Sequence, residues 1–317
     1  MERLFYFMVE LESKNKLDLR VKTIGEYIGQ TPLYRFDRIL PEYRKLFGKL
    51  EWQQLGGSVK ARPAYQIIKE AVLSGRLTAE KRLLDASSGN TAIAYASIGA
   101  KLGLGVTICL PENASEERKK ILLGLGAELI YTSRYGGTDD AQEEAQRINK
   151  EQPEKYFYAD QYNNDANKKA HYLTTSEEIW KQTNGTITHF VTGLGTTGSF
   201  SGISKRLKEL NPSIKTVSLQ PDGPMHGLEG WKHLETARIP GIYEENLVDD
   251  NLFIDSAEAY DMIRQVAKKE GLLISPSSAA NLIGAIKVME SATEEAVVVT
   301  LLPDNAEKYG EVLKMVF

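Results

Sequence analysis

The apolar residues of this chain switch repeatedly between short unbroken runs and helical spacing. Runs bounded by polar or turn residues read as buried strands, and apolar positions recurring at helical period read as the inward face of a helix. Strands are expected at Lys49–Trp52, Leu83–Asp85, Val106–Leu110, Glu128–Thr132, Tyr156–Ala159, Thr188–Thr192, Thr216–Leu219 and Ala296–Leu302. Helices are expected at Ala64–Leu73, Asn90–Leu102, Ser115–Leu123, Asp139–Asn149, Asn167–Gln182, Ser199–Leu210, Ser256–Lys269 and Ala279–Met289. Such alternation predicts βαβ units, and so an α/β fold of parallel sheets covered by helices on both faces. Ile28–Arg35 reads as a turn leading into an extended segment, and Gln220–Asp250 as a long irregular connection of the kind that carries either function or disorder.

Composition narrows the class. With 317 residues, 42% of them hydrophobic, the chain can bury a core large enough for two domains or one large α/β unit. A formal net charge of −4 and the lack of a basic run argue against nucleic acid as the main partner, which leaves small molecules. Cys109 is the single cysteine, so no intrachain disulfide or cysteine-based metal cluster forms, and a reducing, cytoplasmic setting is expected. Met1–Val9 is apolar but too short for a membrane span, and it reads as an extension that packs onto the protein. The four histidines form no i, i+4 pair, so no metal site is expected.

Ligands of open α/β sheets bind where loops leave the carboxyl ends of strands. Three such loops are unusually polar. Ser87-Ser88-Gly89-Asn90-Thr91 surrounds a glycine with hydroxyls and an amide just before a helix, more polar groups than an N-cap requires, and suits a carboxylate. Gly193-Leu194-Gly195-Thr196-Thr197-Gly198-Ser199 spells the G-x-G-x-x-G dinucleotide pattern, with Asp222 beyond the next strand, but its hydroxyls better suit a terminal phosphomonoester at a helix N-terminus. Ser275-Pro276-Ser277-Ser278-Ala279 precedes a third helix.

Lys60 follows the glycine pair Gly56-Gly57 and stands at a strand-to-helix junction, with Pro63 tolerable only in a first helical turn. A primary amine held there can condense with an aldehyde to a Schiff base. The competing reading is a solvated lysine on a surface helix.

Taken together, Gly57-Ser58-Val59-Lys60, Ser88-Gly89-Asn90-Thr91, the Gly195–Ser199 loop and Ser277-Ser278 resemble the fold type II pyridoxal-phosphate enzymes, and within them the cysteine synthase family, B-type more than A-type. Ile28–Leu33, Leu110–Ser115, Gly230–His233 and Leu302–Tyr309 add to a resemblance that covers residues 22–310. It implies two open, twisted α/β/α domains of the tryptophan-synthase-β-like kind with pyridoxal 5'-phosphate in the cleft between them. Residues 1–53 and 166–317 would form the larger, cofactor-phosphate-binding domain, and 54–165 a smaller, mobile, substrate-carboxylate domain.

By the same resemblance Lys60 forms the Schiff base, Asn90 bonds the ring hydroxyl, Gly195, Thr196, Thr197, Gly198 and Ser199 hold the phosphate, and Ser277 meets the pyridine nitrogen. Ser87, Ser88, Gly89, Thr91 and Gln161 would receive the substrate carboxylate. The implied activity is β-replacement on an O-activated serine, O-acetylserine or O-phosphoserine, through an aminoacrylate. Its sulfur donor would be sulfide or a thiocarboxylate borne by a sulfur-carrier protein, and the enzyme a homodimer. A hydroxyl at the ring nitrogen makes the ring a weaker electron sink than a carboxylate would, which favours β-elimination. Gln54-Leu55, Ala61, Pro276 and Ala279 depart from the family pattern. The alternatives are a cystathionine β-synthase or serine/threonine dehydratase relative and, on the G-x-G-x-x-G pattern alone, a nicotinamide-dependent oxidoreductase. Lys232 and Arg238 lie in the stretch that by resemblance borders the leaving group, where a cation would favour phosphate.

Overall fold

In the computed structural model the described residues are 16–317, and the Met1–Val9 extension lies outside them. The chain divides into two compact units: one holds the described residues up to Ile28 together with Lys60–Gln161, the other Gly29–Val59 and Tyr162–Phe317. The chain crosses between units at Ile28/Gly29, Val59/Lys60 and Gln161/Tyr162. The boundaries expected from the sequence lie at 54 and 165 and assign the residues up to Ile28 to the larger domain, whereas here they group with Lys60–Gln161.

Helix α1 (residues 16–24) buries Leu17, Val21 and Ile24, a heptad-spaced apolar stripe. The chain then passes through the antiparallel pair β1 (Leu33–Phe36) and β2 (Lys45–Leu50) before α2 (Ala61–Leu73) opens the alternating part. There follow β3 (Arg82–Ala86), α3 (Asn90–Leu102), β4 (Val106–Pro111), α4 (Glu116–Gly124), β5 (Glu128–Thr132), α5 (Gly137–Glu151) and β6 (Tyr156–Tyr158). These four strands form the first unit's all-parallel sheet, in the order β5-β4-β3-β6. Arg20 of α1 donates to the carbonyl of Leu102 at 3.4 Å, placing a cation at the C-terminus of α3.

The second unit continues with α6 (Asp165–Ala170), a π-helical turn at His171–Thr175, α7 (Ser176–Gln182), β7 (His189–Gly193), α8 (Gly198–Leu210) and β8 (Lys215–Pro221). After the irregular connection come β9 (Asp250–Ile254), α9 (Ser256–Glu270), α10 (Pro276–Ser291), β10 (Val297–Leu302) and α11 (Gly310–Val316). Its sheet runs β1-β2-β10-β7-β8-β9, parallel except for β1 against β2. Leu46, Val298 and Leu302 of the sheet pack with Ala280, Ile283 and Ile263 of α10 and α9 in one core cluster.

The sequence pattern differs from this structure in several places: α1 was not expected, and the strand expected at Lys49–Trp52 runs instead from Lys45 to Leu50. The antiparallel β1 breaks the all-parallel expectation. β9 is an edge strand whose Phe253 is 46% exposed, so no continuous apolar run marks it. α11 was also not expected, and the helix expected over Asn167–Gln182 is interrupted by the π turn, where buried His171 bonds Thr175 at 2.9 Å.

Candidate active site

Lys60 is the N-cap of α2, with Pro63 in the first turn as its missing N–H requires. Upstream, Gly56 and Gly57 both take positive φ, 85° and 61°, which glycine adopts without the steric cost other residues meet. Lys308 Nζ donates to both their carbonyls, at 3.2 Å and 2.8 Å. Gln54, one of the departures from the family pattern, is the hub of this turn. Its Oε1 accepts the Gly29 N–H at 2.9 Å, and its Nε2 donates to Glu51 Oε2 at 3.0 Å and to the Ser58 carbonyl at 3.2 Å. Ser58, Val59, Ala61 and Arg62 around Lys60 are all buried, and Lys60 itself is half-buried. That is not the setting of a solvated lysine on a surface helix. Ala61 has no exposed surface, so a polar side chain there would need a buried partner.

The serine-rich loop leaves β3 and enters α3 through Gly89. Ser87 Oγ accepts the N–H groups of Gly89 and Ala92, at 3.2 Å and 3.3 Å, and so satisfies the helix end. The Ala86 peptide is held on both sides: Asp85 Oδ1 accepts its N–H at 2.9 Å and Gln161 Nε2 donates to its carbonyl at 3.0 Å. Thr91 Oγ1 donates to Gln161 Oε1 at 2.7 Å. The fold thus brings Ser87, Thr91 and Gln161 into one frame, while Ser88, Gly89 and Asn90 stay half-buried around it.

In the glycine-rich loop each glycine faces protein. A Cβ on Gly193 would lie 2.0 Å from the Trp231 indole, on Gly195 2.0 Å from the Gly230 carbonyl oxygen, and on Gly198 2.1 Å from Asn167 Oδ1. Lys232 N–H donates to the Leu194 carbonyl at 2.7 Å, and Asn167 Nδ2 donates to Thr196 Oγ1 at 3.0 Å. The G-x-G-x-x-G spacing therefore answers to packing against the 228–232 segment and α6, which accounts for the pattern without a bridging pyrophosphate. Thr197, the N-cap of α8, sits at φ 66°, an uncommon conformation for a β-branched residue.

At the start of α10, Ser275 Oγ accepts the Ser278 N–H at 3.2 Å, and Pro276 occupies the first turn, where proline is favoured. Buried Ser277 lies with its Oγ 3.1 Å from Ser275 Oγ, and Ser278 Oγ donates to the Asp304 carbonyl at 2.7 Å. Ala279 is inside the helix, with its N–H on the Ser275 carbonyl at 2.9 Å, so its backbone does not call for glycine. Lys232 stacks over Tyr162, Nζ 5.1 Å from the ring centroid, and Arg238 is exposed. Sequence reasoning passed over Asn167 and Asn281, the two amides that touch the ends of the glycine-rich loop. Asn281 carried one signal, a lone amide among the apolar residues of a buried helix.

The sequence matches the pyridoxal-phosphate dependent enzyme family over residues 24–304. It is 44% identical to a cysteine synthase of Aquifex aeolicus over 295 residues, 91% of this chain and 90% of that protein. It is 37% identical to cysteine synthase B of Escherichia coli, over 91% of this chain and 94% of that one. This chain belongs to the cysteine synthase family of pyridoxal-phosphate enzymes. Among solved structures, the cysteine synthase of Entamoeba histolytica superposes with a TM-score of 0.86 at 32% identity, over 92% of this chain and 90% of that one. The fold is accordingly that of the fold type II enzymes.

The residues of a cysteine synthase fit the family's cofactor here. The buried Thr197 hydroxyl has no hydrogen-bond partner among the described residues and lies at the N-terminus of α8, where helix amides favour an anion. An uncompensated hydroxyl is costly to bury and calls for an acceptor such as a phosphate oxygen.

Beneath the serine-rich loop, burial pushes the Asp85 carboxyl up to about 7, against the pull of the Ala86 N–H and the Tyr95 hydroxyl. The folded state thus holds a proton that the unfolded chain releases near pH 4. Stability then falls as pH rises from about 4 to about 7, by at most about 1.4 kcal/mol per pH unit. Asp85→Asn, which keeps an acceptor for Ala86, is expected to gain on wild type as pH is raised from about 5 to about 8 in urea titrations. His189 and His226, both lowered by burial, tilt stability the other way but cancel between variant and wild type. An equal difference between the two proteins at both pH values would rule this coupling out.

Proposed function

We propose that this chain makes L-cysteine by replacing the β-substituent of an O-activated L-serine, O-acetylserine by preference, with a sulfur nucleophile. Pyridoxal phosphate, when bound, supplies the aldehyde that takes the amino group and the ring that accepts the electron pair left at Cα. Lys60 carries the cofactor and then, as a free amine, removes the Cα proton and returns it. The Cβ–O bond breaks with its electron pair leaving on acetate, and a Cβ–S bond forms as the sulfur loses its proton. Asn90 bonds the ring hydroxyl, Gly195–Ser199 cradle the phosphate, and Ser87, Ser88, Gly89, Thr91 and Gln161 frame the substrate carboxylate.

The observation that carries the reading is the environment of Ser277. Its hydroxyl lies 3.1 Å from another hydroxyl, Ser275 Oγ, and Asp304 enters this network through its backbone carbonyl, which accepts from Ser278, while its Oδ2 accepts from Tyr309 at 2.7 Å. A neutral donor at the ring nitrogen supports prompt elimination over long storage of a carbanion.

The test is kcat/KM for O-acetylserine and O-phosphoserine with sulfide as acceptor. A preference for O-acetylserine is expected. A phosphoserine preference of about a hundredfold, equivalent to about 2.7 kcal/mol, would overturn that choice of leaving group. Its survival in Lys232→Ala and Arg238→Ala would exclude those cations as its cause. A homodimer in the cytoplasm, and a thiocarboxylate on a carrier protein as an alternative donor, complete the proposal.

A further inference from the structure

We infer that Asn281 is a positioning residue of the cofactor cradle, setting where the phosphate loop leaves the sheet relative to the helix that bears Ser277. The inference rests on the pyridoxal-phosphate reading above. Asn281 lies four residues after Ser277 on α10, and so on the same helix face. Its side chain is 1% exposed. Its Oδ1 accepts the Gly193 N–H at 2.6 Å, and its Nδ2 donates to the Leu301 carbonyl at 2.9 Å. One amide thereby ties α10 to the last residue of β7 and to the end of β10.

The same corner is fastened from the backbone side. Thr300 Oγ1 is 2.8 Å from the Val191 carbonyl and 3.4 Å from the Asn281 carbonyl, so β7, β10 and α10 share a second polar contact. Gly193 is the residue from which the chain enters the 195–199 loop, and its missing side chain makes room for Trp231. Fixing the Gly193 peptide therefore fixes the first point of the loop, and Ser277 is fixed one helical turn from the same amide. A cofactor bound at both ends needs its phosphate site and its ring-nitrogen site held at one separation.

The chemistry at position 281 is specific. Gly193 presents a donor and Leu301 an acceptor, a pair that a carboxamide of this length answers at once. A carboxylate would face the Leu301 carbonyl with a second acceptor, and an apolar side chain would leave both backbone groups unpaired. A core asparagine of purely structural value would lower thermal stability without altering the bound cofactor.

The experiment compares wild-type holoenzyme with Asn281→Ala and with Thr216→Val, a buried hydroxyl of β8 bonded to the Leu247 carbonyl. Readouts are the rate of pyridoxal-phosphate loss on dilution, the phosphorus resonance of the bound phosphate, and the melting temperature. Asn281→Ala is expected to shed cofactor about tenfold faster, as one buried donor left unpaired implies, and to shift the phosphorus resonance. Thr216→Val is expected to melt lower with cofactor loss and resonance unchanged. Wild-type cofactor retention in Asn281→Ala, at any melting temperature, overturns the inference. Should Asn281→Ala fail to fold, Thr300→Val carries the test from the β10 side: a severalfold faster loss supports the inference and an unchanged rate overturns it. A wild type that binds no pyridoxal phosphate would overturn the proposed function itself, an outcome distinct from a wild type that binds it and a variant that binds it equally well.

Discussion

Lys60→Ala is expected to lower kcat/KM by at least about 10³-fold, because in the proposed function one amine both holds the cofactor and moves the Cα proton. The protein is expected to fold, since Lys60 is a half-buried N-cap whose side chain makes no cap bond to α2 that alanine would remove. Borohydride treatment of wild type should fix the cofactor covalently to the peptide containing Lys60, and the same treatment of the variant should leave it extractable. A second lysine makes the result discriminating. Lys49 has no exposed surface, but its ammonium is 2.7 Å from Glu178 and donates to the Thr31 carbonyl, so it is committed to an ion pair inside the second unit. Label recovered on any peptide other than that of Lys60, or turnover retained in Lys60→Ala, would sink the assignment.

How legible each element was in the sequence follows from how local its cause is. α3 was read to its terminal residues, Asn90–Leu102, because its signals are adjacent in the chain: a polar N-terminal loop, an alanine-rich apolar run, and Gly103 at φ 76° closing the helix. β5 was likewise read at Glu128–Thr132. The candidate cofactor residues could be nominated because they cluster in short loops, and a cluster is visible in a linear string. Asn167 and Asn281 act on the glycine-rich loop from tens of residues away, and nothing in their own neighbourhoods names the partner. Gln54 shows the same limit from the other side. It stood out as a departure from the family pattern, and only the fold reveals that its amide ties Gly29, Glu51 and Ser58 into the turn before Lys60. The dinucleotide pattern was ambiguous for a related reason: glycine spacing records where the backbone is approached closely, but not by what.

That last point yields the second large effect, at Gly195. A Cβ built there lies 2.0 Å from the Gly230 oxygen and 3.3 Å from the Gly230 carbonyl carbon, so the clash is with backbone, which cannot swing aside as a side chain can. The segment carrying that carbonyl is pinned on its far side. Trp231 N–H bonds the Leu228 carbonyl at 3.1 Å, and Lys232 N–H bonds the Leu194 carbonyl at 2.7 Å. Gly195→Ala must therefore push the glycine-rich loop and the 228–232 segment apart, and the Lys232–Leu194 bond is the first to lengthen. Overpacking of this kind costs about 1–3 kcal/mol, and a backbone clash belongs at the upper end. The variant is expected to melt lower than wild type and to lose pyridoxal phosphate on dilution at least about tenfold faster, since the displaced peptides are those proposed to cradle its phosphate. Gly124→Ala, in α4 with nothing within 4 Å of its Cβ, is the matched control and should be neutral or slightly stabilising. If Gly195→Ala matched Gly124→Ala in both melting temperature and cofactor retention, the close approach of Gly195 to Gly230 would not be what holds the loop in shape.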